Sequence, residues 1–290
     1  MLEPRLRHVT CASPKGLHRL AYWEWLPPAA TPGNAPTVVC VHGLTRNGRD
    51  FDALAARLSQ RWRVVCPDMV GRGRSDRASD PQLYSLPQYI ADCVTLVARL
   101  DVERVAWVGT SMGGLIGMLL AAMPGTPIGR LVLNDIGPEI DAAGRTRIGG
   151  YVGQDPQFAS EAEGVAALRE LMRDFGPHTD DQFRLLTRHY LVPRGTGFTF
   201  AYDPAIAVAF REQQAAPVLD LWPFYDAIRC PTLVTRGAQS DILSAATAEA
   251  MARRGPKAQR VAFEGVGHAP TLIAADQVDA VERFLSEELQ

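Results

Sequence analysis

Val105-Ala106-Trp107-Val108-Gly109-Thr110-Ser111-Met112-Gly113-Gly114-Leu115-Ile116-Gly117 is the stretch on which the fold turns. No charged residue occurs from Val105 to Gly129. An apolar run of about 20 residues is what a membrane-spanning helix requires. Here Gly109, Thr110, Ser111, Gly113 and Gly114 interrupt the first half and Pro124 the end, which breaks a single-helix pattern. The run instead divides into a buried strand over 105–108, a tight turn, and a buried helix over 112–123. A Gly-x-Ser-x-Gly turn between strand and helix projects the serine hydroxyl beyond the sheet. The small neighbours let the two elements approach closely. The amide after the serine, that of Met112, then points at a developing oxyanion, and the helix N-terminus adds partial positive charge.

Outward from this turn the pattern alternates. Apolar strands are expected at 17–26, 37–41, 63–66 and 131–133, with helices at 51–58 and 86–100. The latter carries Tyr89, Cys93, Leu96, Val97 and Leu100 as a stripe of period 3.6. From about Pro138 to Tyr225 the alternation stops. Helical spacing persists there (Val165, Leu168, Leu171, Met172, Phe175) but no parallel strand is evident. Alternation resumes with a strand at 232–235, a helix at 245–253, a strand at 259–263 and a helix at 276–289. Strand–helix alternation implies a mostly parallel sheet with helices on both faces. The expected organisation is a core over 1–137, an inserted helical element over 138–225, and the rest of the core over 226–290.

Composition agrees with a globular α/β chain. The 290 residues are 47% hydrophobic and 21% charged, close to globular averages. With 30 basic and 32 acidic side chains the net charge is −2, which supplies no strong field for nucleic acid or an anionic membrane. The five cysteines are scattered, with no Cys-x-x-Cys, and the first eight residues lack the apolar core of a signal peptide. A reducing, cytoplasmic setting is the expectation. A net charge near zero permits self-association into a homo-oligomer without requiring it.

A nucleophilic serine needs a base and a group that orients the base. Of the six histidines, only His268 follows the last strand with a flanking glycine, Gly267. That position is the carboxyl edge of the sheet, where ligands bind in open α/β folds. Two acids compete for the orienting role. Asp241 follows the strand at 232–235 and is preferred. Asp135, after the strand at 131–133, is the alternative, and would otherwise fix the start of the insertion or line the pocket. His42-Gly43-Leu44 ends another strand. The Leu44 amide is the expected second oxyanion donor, with His42 and Gly43 shaping the loop. Gly71-x-Gly73 lacks the third glycine of a dinucleotide fingerprint, and neither a Walker A sequence nor His-Glu-x-x-His occurs.

Taken together, His42-Gly43, Pro67-Asp68 with Gly71-Arg72-Gly73-Arg74-Ser75, Gly109-Thr110-Ser111-Met112-Gly113-Gly114, Asp241 and Gly267-His268 resemble the α/β-hydrolase fold family across nearly the whole chain. The resemblance implies an eight-stranded sheet with one antiparallel strand, a helical cap after the sixth strand, and neither metal nor organic cofactor. It is shared by esterases, lactonases, C–C bond hydrolases and perhydrolases. Serine at the nucleophile position argues against the dehalogenases and epoxide hydrolases, which use aspartate there. Three activities are therefore in contention on a small-molecule substrate: an ester or lactone hydrolase, a C–C hydrolase of a vinylogous diketone, and a non-enzymatic receptor. Arg145, Arg147, Arg188, Arg194 and Arg211 in the cap are candidates for a carboxylate clamp. Phe158, Phe175, Phe183, Tyr190, Phe198, Phe200, Phe210 and Trp222 either pack the cap or line its pocket.

Overall fold

The computed structural model describes residues 3–28, 35–215 and 219–287. Strands β1 (Arg5–Ser13), β2 (Gly16–Trp25), β3 (Thr37–Val41), β4 (Arg63–Asp68), β5 (Val105–Thr110) and β6 (Ile128–Asn134) alternate with helices α1 (Asp52–Leu58), α2 (Leu86–Leu100) and α3 (Met112–Ala121). The chain then leaves the sheet. It forms α4 (Ala142–Tyr151), α5 (Glu161–Leu171), α6 (Asp180–Thr187), a separate antiparallel pair β7 (Leu191–Arg194) and β8 (Gly197–Phe200), α7 (Ile206–Ala215) and α8 (Trp222–Ala227). It returns through β9 (Thr232–Gly237), α9 (Ala245–Met251), β10 (Gln259–Phe263) and α10 (Ala275–Ser286). The expected last helix reached Leu289, which lies outside the described residues, as do Met1 and Leu2.

The main sheet has eight strands in the order β1-β2-β4-β3-β5-β6-β9-β10. Only β2 runs against its neighbours, pairing antiparallel with both β1 and β4. β3, β5 over Val105–Gly109 and β6 over Leu131–Leu133 read as apolar runs because helices cover both faces, as a parallel sheet requires. Successive side chains point to opposite faces, and the core divides accordingly. Val39, Val41, Trp107, Leu131 and Leu133 pack with α2 and α3 on one side. Val38, Cys40, Val108 and Val132 pack with α1 and α10 on the other. The α2 stripe is buried as its spacing predicted, and the helix ends at Asp101 in the left-handed region, φ 55°.

β1 was not legible in the sequence as a strand. Arg5 to Ser13 alternates weakly because the strand is at the sheet's edge and mostly exposed. It is held by its ladder to β2 and by α2, whose Gln88 donates to the Ala12 carbonyl at 3.0 Å and to Asp92 at 2.7 Å, with Asp92 Oδ2 in turn 3.0 Å from His18 Nε2 of β2. The insertion after β6 carries its own apolar cluster of Leu168, Met172, Phe183, Leu186 and Tyr190. Its two-stranded hairpin adds a feature that helical spacing alone did not show. Among the described residues no helix is long and apolar enough to cross a membrane. The uncharged run from Val105 is the strand β5, a turn and α3.

Candidate active site

Ser111 joins β5 to α3 with φ 51° and ψ −114°, a strained backbone for a residue with a side chain. Close packing enforces the turn. A Cβ on Gly113 would lie 2.0 Å from the Val41 carbonyl oxygen, and one on Gly109 would lie 2.2 Å from that of Gly113. The Ser111 amide donates to the Asn134 carbonyl at 3.0 Å, which ties the turn to the end of β6. The hydroxyl is thereby held proud of the sheet's carboxyl edge.

His268, after β10, reaches this hydroxyl. Its Nε2 is 2.9 Å from Ser111 Oγ. Its Nδ1 is 2.7 Å from Asp135 Oδ2, so the imidazole spans serine and carboxylate. Asp135 follows β6 with φ 57° and is completely buried. It also accepts from the Gly237 amide at 2.9 Å and from the Ser240 hydroxyl at 2.6 Å, which fixes the carboxylate plane.

The preference for Asp241 is therefore corrected. Its carboxylate is occupied by Arg147 of α4, whose Nε and Nη2 donate at 2.6 and 2.8 Å. That pairing holds its carboxyl below the usual aspartate range. Spacing placed both acids at one edge. The left-handed turn at Asp135 aims the nearer carboxylate at His268, whereas Asp241 turns outward to the insertion. Ser240 and Asn134 were not singled out in the sequence. Asn134 Nδ2 donates to Thr110 Oγ1 at 2.9 Å and to the Pro270 carbonyl at 2.8 Å, and Thr235 donates to its Oδ1 at 2.8 Å. It ties together the ends of β5, β6 and β9 and the His268 loop.

His42 is a loop brace. Its Nδ1 donates to the Gly43 carbonyl at 2.7 Å and its Nε2 accepts from the Met69 amide at 2.9 Å. Burial, with Arg72 and Arg46 nearby, lowers its pKa to about 3, so the ring is neutral. Arg72 extends the brace. From full burial it donates to the Leu44 carbonyl at 2.8 Å, to the Val70 carbonyl at 2.7 Å and to the Tyr89 hydroxyl at 2.8 Å. Fixing the carbonyl on one side of Leu44 sets the direction of the loop that carries the Leu44 amide. Among the described residues neither that amide nor the Met112 amide donates a hydrogen bond to the protein.

Ser111 sits where two cavities meet. The larger, about 350 Å³, is lined by apolar side chains including Leu115, Ile136, Ile148, Phe210 and Leu221. The smaller, about 70 Å³, is more polar and includes His268, Arg46, Tyr190 and Thr271. Of the candidate arginines, Arg145 lines the larger cavity and has no ion-pair partner among the described residues. Arg147 and Arg194 are paired with Asp241 and Asp155. Of the aromatic candidates, Phe210 faces the larger cavity and Phe175 and Tyr190 the smaller, while Phe183 is buried in the insertion's own core.

Comparison with known proteins agrees with this architecture. A 3-hydroxybutyrate-oligomer hydrolase of Cupriavidus necator is 47% identical, with 98% of each chain covered. A pimeloyl-[acyl-carrier protein] methyl ester esterase of Xanthomonas campestris is 29% identical over 88% of this chain and 96% of that one. The crystal structure of an alpha/beta hydrolase from Novosphingobium aromaticivorans superposes with a TM-score of 0.88 at 42% identity, covering 98% of this chain and 99% of the other. A sequence profile for the alpha/beta hydrolase fold matches residues 36–274. The chain belongs to the alpha/beta hydrolase fold family.

Proposed function

We propose that this protein is a serine hydrolase of carboxylic esters, with short hydroxy-acid esters as its substrate class. One observation carries the reading: the hydrogen-bonded chain Ser111–His268–Asp135, seated where an apolar and a polar cavity meet. The 3-hydroxybutyrate-oligomer hydrolase at 47% identity supports the substrate class, since its named substrate is an ester of hydroxy acids.

In the proposed reaction His268 Nε2 takes the Ser111 proton as Oγ attacks the ester carbonyl. Asp135 holds the imidazole with Nδ1 protonated and stabilises the imidazolium. The Leu44 and Met112 amides receive the oxyanion, a contribution of about 3–4 kcal/mol per donor in comparable sites. The intermediate collapses to the acyl-serine, and His268 returns its proton to the leaving alcohol. Water then attacks the acyl-serine with His268 again as base, releasing the acid and restoring Ser111.

The test is hydrolysis of a chromogenic ester panel from acetyl to octanoyl, and of 3-hydroxybutyrate dimer and trimer, by wild type and Ser111→Ala. The expected outcome is turnover that falls by several orders of magnitude in a variant that stays folded. Ester turnover that survives the substitution overturns the assignment.

A further inference from the structure

We propose that Cys11, His18 and Asp92, at the outer edge of the sheet, form a binding site for one divalent cation of the zinc class, with a structural role and no part in ester cleavage.

The β1–β2 ladder brings two of the donors together. Cys11 of β1 and His18 of β2 are direct cross-strand partners, so their side chains share one face of the sheet. That face is the one α2 covers, and Asp92 of α2 meets them there. The Cys11 sulfur, His18 Nε2 and an Asp92 carboxylate oxygen all lie within 4.8 Å of one another. Ligand atoms around a tetrahedral zinc ion, at bond lengths of about 2.0–2.3 Å, sit about 3.3–3.8 Å apart, so the three close on a cation by shifts of about 1 Å. Gln88, one turn before Asp92, donates to Asp92 Oδ1 at 2.7 Å and to the Ala12 carbonyl at 3.0 Å. It leaves Oδ2 for the cation and supplies the outer hydrogen bond that orients a ligating carboxylate. The His18 side chain is 10% exposed, which gives the cation an entry and a water a place as fourth ligand.

Charge and donor chemistry decide what binds. Asp92 is fully buried, and among the described residues no arginine or lysine pairs with it; its ion-pair partner is His18. Burying a carboxylate without a permanent positive charge is costly, and burial pushes this carboxyl above the usual aspartate range. A divalent cation supplies the missing charge. Thiolate and imidazole favour zinc-class ions, whereas magnesium and calcium take oxygen ligands. Burial and the Asp92 carboxylate push the Cys11 thiol up to about 12, so coordination displaces its proton to solvent. None of the three residues lines either cavity at Ser111. The cation would therefore pin the exposed strand β1 to β2 and α2.

The test is titration of EDTA-stripped protein with zinc chloride, cobalt chloride or magnesium chloride. One equivalent of zinc per chain is expected in competition with a chromophoric chelator. The cobalt form should show thiolate-to-metal charge-transfer absorption. Free zinc at about 100 times Kd should raise Tm by about 4 °C, and magnesium should not. Cys11→Ala should abolish the charge-transfer band. His18→Gln, at a partly exposed position that keeps the experiment readable if Cys11→Ala fails to fold, should weaken zinc binding by about tenfold or more. Absence of saturable zinc binding, zinc bound as tightly by His18→Gln as by wild type, a cobalt form without the band, an equal effect of magnesium, or binding that leaves Tm unchanged overturns the site.

Discussion

Two carboxylates at one sheet edge differ in what holds them. Asp135 is buried and accepts from His268, Gly237 and Ser240, whereas Asp241 shares a half-exposed ion pair with Arg147. Asp135→Asn should lower kcat by about 10⁴-fold, because an amide favours the wrong imidazole tautomer. Asp241→Asn loses an ion pair worth at most ~1 kcal/mol and should leave kcat within about tenfold. Steady-state kinetics of the two variants on one ester decides, and the reverse order would return the role to Asp241. His42 makes a prediction about stability instead. Its folded pKa is depressed from 6.5 to about 3, so the folded state excludes a proton that the unfolded chain takes up. Its contribution is present above pH 6.5 and is lost as pH falls toward 3, about 2 kcal/mol of it by pH 5. His42→Gln should be less stable than wild type at pH 7.5, and the gap should narrow by that amount at pH 5 in denaturant titrations. Parallel stability profiles would show that the ring is not held neutral.

At the scale of elements, the strand–turn–helix of β5 and α3 works because three backbones touch. Gly113 packs against the end of β3, and its carbonyl accepts from the Trp107 indole at 2.9 Å. An added methyl would meet backbone rather than a movable side chain, so relief requires shifting β3 or α3. Gly113→Ala should therefore cost at least ~3 kcal/mol, at the upper end of overpacking penalties. It should also depress turnover by displacing Ser111. A chevron or equilibrium melt checks the first, and ester kinetics on the folded fraction the second. The tie from α4 to the β9 loop, Arg147 to Asp241, belongs to this scale too: it holds the insertion to the core rather than orienting the histidine.

Across the whole molecule, one face of the sheet is packed under α1 and α10, while the proposed site gathers at the carboxyl edge. The face under α1 and α10 is sealed by Leu54, Leu58, Val281 and Phe284, all at most 2% exposed, and none of these four lines either cavity at Ser111. Phe284→Ala should cost about 3–5 kcal/mol, as a large-to-small change in a packed core does. Its kcat on a short ester should stay that of wild type at temperatures where it is folded. A coupled loss of kcat would mean that the two faces communicate. The opposite face supports α2, α3 and the insertion, and the functional loops gather at the carboxyl ends of β3, β5 and β6 and after β10. That edge is where a parallel sheet leaves backbone groups and helix N-termini convergent.

The sequence by itself determined the sheet and the strand–turn–helix at Ser111, and it named two of the residues proposed for the site, Ser111 and His268. Local rules sufficed: short apolar runs set β3 to β6, a period of 3.6 set α2, and glycine spacing set the turn at Ser111. A histidine after the last strand can reach no other edge. Tertiary structure alone chose Asp135 over Asp241, because both follow parallel strands and only the backbone direction at φ 57° and the Arg147 pairing separate them. It alone showed Arg72 and Asn134 bracing loops, since their partners lie in distant segments, and it named the Met69 amide as a partner of His42, whose loop-shaping role was already expected. The edge strand β1 escaped the pattern because a half-solvated edge is under little selection for alternation.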